Sequence, residues 1–283
     1  MKRSARCLLQ IGRTFCAGQG KREAKNADPE THAGLIRSGG RSSYIGFGKF
    51  EGMGSERGSI QKALDHLREL LEAQKAMPAS VEQKQGQARF QHDIAMCHHR
   101  AGDVDSAVCE YMRAVELLET MLAAESIENK GIEKRLRFDL SSAMSGLSVA
   151  LADKGDDRGA LEYASKALEI RKGIMGANHA SVAECLNNLG GLFFRQSNFN
   201  KAAEVYQESL RILLTKTQGK EENKYVALAY YNIGLTYSRL GIGKGVDAIK
   251  KALLIAEHVW GPNHDQTVQI RSSLEQQLEN KKT

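Results

Sequence analysis

The chain has 283 residues, 41% of them hydrophobic and 26% charged, with a net charge of +6 at neutral pH. No apolar run reaches the ~20 residues that a membrane-spanning helix needs. The charge excess sits in residues 1–50, where ten Lys and Arg face three acids, so the remaining residues are near neutral and lack the basic working surface of an electrostatic nucleic-acid binder.

The five cysteines (Cys7, Cys16, Cys97, Cys109 and Cys185) are odd in number and scattered. They suggest no disulfide framework and favour a reducing compartment. The three prolines, Pro29, Pro78 and Pro262, fall outside every helical pattern, which favours an all-helical body.

Residues 1–22 carry six basic residues and no acid. Arg3, Arg6, Gln10 and Arg13 recur at helical spacing, with Leu8, Ile11 and Phe15 on the other face. A basic amphipathic helix without acids is the pattern of a mitochondrial presequence, and Arg13-Thr14-Phe15 resembles a processing site. A chloroplast transit peptide and a plain basic tail are the alternatives. Residues 23–58, with glycines running from Gly34 to Gly58, sustain no period and predict a disordered linker. Gly46, Gly48, Gly52 and Gly54 lack the strand and the Lys-Ser/Thr helix start of a phosphate-cradling loop. Tyr44, Phe47 and Phe50 offer a short docking segment.

Ser59 is expected to cap a helix to about 76, with Ala63, Leu64, Leu67, Leu70 and Leu71 on one face. Helices follow over about 80–100, 104–125, 130–154, 158–174, 180–196, 200–216, 223–240 and 245–260. A last one, about 265–279, is introduced by Gly261-Pro262-Asn263-His264, which repeats Gly176-Ala177-Asn178-His179. The register is internally consistent. Ile94, Leu147, Leu189 and Ile233 are 53, 42 and 44 residues apart. Ala107, Ala160, Ala202 and Gly245 are 53, 42 and 43 apart. Helix pairs therefore recur at a near-constant period. Each exposes an apolar stripe that only stacked neighbours can bury.

Leu189-Gly190, Phe193, Ala202, Tyr206 and Ser209, with Ile233-Gly234, Tyr237, Gly245 and Ala252, resemble the large-and-small pattern of tetratricopeptide repeats. The period near 42 residues, with Val182-Ala183 and Leu186-Asn187-Asn188-Leu189, is similar to the kinesin light chain type. The resemblance implies an all-α, right-handed solenoid of antiparallel helix pairs. A capping helix at 265–279 closes it, and a disordered N-terminal arm precedes it.

It also implies a concave groove lined by the first helix of each pair. That assigns His92, Met96, His99 and Arg100, then Ser145, Val149 and Asp153, to the first two pairs. The third pair supplies Asn187, Asn188, Gly191, Phe194 and Arg195, and the fourth supplies Tyr231, Asn232, Leu235 and Arg239. Asn188 and Asn232 stand where the family holds a peptide main chain. Arg100, Arg195 and Arg239 form a row suited to acidic peptides, broken by Asp153. The alternative is intramolecular: Asn sealing a helix seam, and Arg capping carbonyls. His92, Met96, Glu184 and Leu228 stand where the chaperone-tail clamp would need Lys or Asn, so that partner is not expected.

Cys97-His98-His99 points in three directions on a helix and predicts no metal site. No nucleophile–base arrangement and no cofactor motif occurs. The expected function is a non-catalytic scaffold or adaptor holding a partner segment, in the manner of a mitochondrial assembly factor or peripheral complex subunit. The alternative is a cytosolic, kinesin light chain-like cargo adaptor, although Gly-rich 34–58 cannot supply that family's coiled coil.

Overall fold

A computed structural model describes residues 53–124, 129–216 and 223–279. The expected presequence and processing site, the aromatic segment at 44–50, Cys7, Cys16 and most of the Gly-rich stretch lie outside these residues. All ten described elements are helices: α1 (Met53–Lys75), α2 (Val81–Ala101), α3 (Val104–Ala123), α4 (Lys130–Lys154), α5 (Asp157–Met175), α6 (Ala180–Arg195), α7 (Phe199–Lys216), α8 (Lys224–Arg239), α9 (Gly245–Trp260) and α10 (Asp265–Glu279). Among them α2 pairs with α3, α6 with α7 and α8 with α9, and α10 packs on α9. The residues form two compact units, one through Leu147 and one from Ser148 onward, so that α4 contributes to both.

One boundary departs clearly from expectation. Helix α1 begins at Met53, so Ser59 lies inside it and is not its cap. Gly54 and Gly58 cost roughly 1 kcal/mol each in helix propensity, and the helix accommodates them. Ser80 does cap α2, its hydroxyl accepting from the Gln83 N–H at 3.1 Å.

The repeat is visible in the backbone. Gly102, Gly155, Ser197 and Gly241 all adopt positive φ, at 82°, 94°, 58° and 69°. Each lies just past the end of a first helix. The N–H of the next residue (Asp103, Asp156, Asn198 and Ile242) returns to a carbonyl of that helix's last turn, at 2.8–3.0 Å. This is the left-handed close that satisfies orphan carbonyls. The first three turns hand over directly to the next helix. Asp103 accepts from Ser106 N–H, Asp156 from Gly159 N–H and Asn198 from Lys201 N–H, each as an N-cap. The Ser106 bonds to Asp103 hold its carboxyl below the usual carboxylate range. One left-handed residue followed by one capping residue thus makes each of these three corners. Two use glycine; Ser197 adopts φ > 0 without being glycine.

Close approach follows the small residues. Ala107, Ala160 and Ala202 are fully buried at the starts of α3, α5 and α7. A Cβ on Gly190 would sit 2.7 Å from the Tyr206 ring, and one on Gly234 would sit 2.5 Å from Ile249 and 2.9 Å from the Gly245 carbonyl. The Ser209 hydroxyl donates to the Ala183 carbonyl at 2.7 Å, so Ala183 and Gly190 mark the face of α6 that meets α7. Tyr206 is buried with them, and that burial drives its phenol pKa up.

Candidate functional site

The first helices α2, α4, α6 and α8 carry the groove residues assigned from the sequence. Their polar side chains turn out to be joined from one first helix to the next. In the first unit, Asp139 of α4 receives the Arg89 Nε at 2.8 Å and the Gln85 Nε2 at 2.7 Å, both from α2. In the second unit, Arg195 at the end of α6 bonds the Ala152 carbonyl, pairs with Asp153 at 3.4 Å and approaches Asp157 at 3.7 Å. The Asn232 amide of α8 donates to Asn187 Oδ1 of α6 at 2.9 Å. Tyr231 of α8 and Ser273 of α10 share a hydrogen bond at 2.7 Å. A polar tie therefore fastens each of these four neighbouring pairs.

This divides the assigned residues. Arg195 is committed: its guanidinium neutralises Asp153, whose side chain is 5% exposed, and closes an α4 carbonyl. The acid that interrupted the arginine row is the partner of the next arginine in it. Phe194 is buried and packs edge-on against Phe199 with ring centroids 4.9 Å apart, so it belongs to the core of its pair. Tyr231 is buried as well, which raises its phenol pKa while the Ser273 bond opposes the rise. Val149 and Leu235 are buried. Asn187 and Asn188 remain half-buried, Asn232 is largely covered, and Arg239 is exposed.

In the first unit, Arg100 is half-buried, His99 is buried, and the His92 ring meets Tyr111 edge-on at 5.5 Å. His98 Nδ1 lies 3.0 Å from Asp103, while Cys97 is buried. Cys97, His98 and His99 thus diverge, and no group of three His, Cys, Asp or Glu among the described residues could hold a metal.

One group stands out that the sequence reading used only to dismiss a chaperone clamp. Glu184, one turn before Asn187 and Asn188 on α6, has its carboxyl pushed up to about 7 by burial, with the positive charges of Arg171 and Lys224 opposing. Nothing in the local sequence announces this, because the burial comes from neighbouring helices. The Asp153–Arg195 tie did leave a signal. An acid at the equivalent place of an otherwise basic row is what a bridge between consecutive repeats requires.

The arrangement offers amides, a neutralisable carboxyl and one exposed guanidinium. Side-chain amides of this kind can both donate and accept hydrogen bonds.

Residues 139–215 match the tetratricopeptide repeat family model. No curated protein matches the sequence. Among solved structures, BtubC (BKLC) from P. vanneervenii is 20% identical, with 75% of this chain and 78% of that one covered at a TM-score of 0.59. A putative kinesin light chain with nearly identical TPR-like repeats from Podosopora anserina is 15% identical, covering 80% and 97% at 0.53. A Rap protein complexed with Competence and Sporulation Factor is 20% identical, covering 76% and 53% at 0.52. Residues 139–215 thus carry tetratricopeptide repeats, and the fold of the chain is similar to that of kinesin light chain-like repeat structures.

Proposed function

We propose that the protein is a non-catalytic interaction scaffold that holds an extended segment of a partner protein along α6 and α8. The observation that carries this reading is the Asn187–Asn232 amide pair on the two first helices. That bond uses one donor of Asn232 and one acceptor of Asn187. The Asn187 amide N–H groups and the Asn232 Oδ1 keep further capacity, matching the alternating C=O and N–H of a peptide main chain. Recognition by amides favours backbone over sequence. Because Arg195 is neutralised by Asp153, any preference for acidic segments rests on Arg239. A Rap protein of similar fold is known in complex with Competence and Sporulation Factor.

The test is direct. Affinity purification of the tagged native chain identifies partners, and Asn187→Ala with Asn232→Ala is then compared with wild type. The double variant is expected to lose binding by about 10-fold or more while keeping its helicity, since each lost hydrogen bond is worth about 1 kcal/mol. Unchanged binding of every recovered partner rejects the groove as the site.

The mitochondrial address rests on residues 1–22, with six basic residues and no acid. A role as an assembly factor or peripheral complex subunit is consistent with it. Imaging a C-terminally tagged chain with and without residues 1–22 tests the address.

A further inference from the structure

Helix α10 begins as the first helix of a pair does. His179 and His264 introduce α6 and α10 in the same way: the Nδ1 of each accepts the N–H two residues on, from Ser181 and Gln266, at 3.2 Å. Counting from these two histidines, Ala183 and Gly190, which face α7, correspond to Val268 and Glu275. Phe193 corresponds to Leu278. The matching face of α10 is open among the described residues: Val268 is 44% exposed and Leu278 is 38% exposed. On the neighbouring α9, Leu254 is 70% exposed, one turn before Glu257, which is bonded to Arg271 of α10 at 2.7 Å. Three of the six large apolar side chains left exposed among the described residues are therefore gathered at this end.

The face is not built for a second helix of the usual kind. Where α6 has Gly190 so that the Tyr206 ring can lie against its backbone, α10 carries an exposed carboxylate at Glu275. What the face does match is itself. Val268, Arg271, Glu275 and Leu278 follow one stripe of the helix. Laid antiparallel about a twofold axis at the level of Ser273, two copies set Val268 against Leu278 and Arg271 against Glu275. Both pairings occur twice in the same register, which is the self-complementarity an isologous contact requires. Arg271 keeps Glu257 on one side and gains the second copy's carboxylate on the other.

We propose that this face of α10 is a homodimer surface, in which α10 of each copy packs antiparallel against α10 of the other. A helix of this length spans about 22 Å, so the contact is small and the dimer is expected to be weak and reversible.

Sedimentation of the full chain over about 1–200 μM is expected to show a monomer–dimer equilibrium. Val268→Asp with Leu278→Asp is expected to raise the dimer Kd about 100-fold or more, because charge replaces apolar contact in both copies. Glu275→Arg, which sets Arg against Arg twice, is expected to raise it about 10-fold. Circular dichroism of the variants should match wild type, since all three side chains are exposed. A monomer throughout the concentration range overturns the proposal and leaves the face to another occupant. A dimer that survives Val268→Asp with Leu278→Asp overturns it as well.

Discussion

Glu184 shows what partial burial of a carboxyl does to this molecule. In the unfolded chain its carboxyl titrates near 4.5, and in the fold it is pushed up to about 7, chiefly by burial. The folded state therefore holds the proton more tightly. The stability this contributes is complete below about 4.5 and is lost as pH rises through about 7. Glu184→Gln keeps the shape and removes the charge. The variant is expected to match wild type at pH 4 and to be more stable at pH 8, by about 1–3 kcal/mol. Thermal melts at the two pH values check this; an equal difference at both would show that desolvation of the carboxylate is not the cause. Arg195 makes the complementary point. Its charge is satisfied by Asp153 and Asp157. Equivalent positions in the sequence were enough to align it with Arg100 and Arg239, and not enough to reveal that it was already taken.

At the scale of helices, the spacing of small residues sets how closely two axes approach, and glycine has opposite meanings in different places. Gly234 faces Ile249 and the Gly245 carbonyl, so an added methyl must displace backbone. Gly173 is helical with nothing within 4 Å of its Cβ position. Gly234→Ala is expected to destabilise by about 1–3 kcal/mol. Gly173→Ala is expected to stabilise by about 0.5–1 kcal/mol through the lower entropy of the unfolded chain. Denaturant melts of the two variants should shift in opposite directions, and shifts of the same sign would remove the packing argument. Most element positions were legible, because amphipathic period, caps and turns are local. The start of α1 was not, since Ser59 has the chemistry of a cap and the helix runs past it to Met53. Local propensity is weak beside the gain from extending a helix whose later turns bury Leu64, Leu67 and Leu71.

At the scale of the whole molecule, charge is partitioned along the chain. The basic excess lies in residues 1–50 and leaves a near-neutral helical body. The proposed address predicts that a C-terminally tagged chain colocalises with a mitochondrial marker and becomes diffuse when residues 1–22 are removed. A diffuse signal from the intact chain favours the cytosolic adaptor instead. The sequence by itself determined the helical class, the repeat period and the small-residue contacts. These depend on interactions within a turn or between adjacent helices, and they recur every 42 to 53 residues. Only the tertiary structure decided which polar side chains are spent. Asn187, Asn232, Arg195 and Tyr231 are adjacent to their partners in space but some 40 residues away in the chain. Whether a side chain greets a ligand or a neighbouring helix depends on that distance, which one helix cannot encode. For the same reason the open stripe of α10 became visible only once the faces of α6 and α8 were seen to be filled.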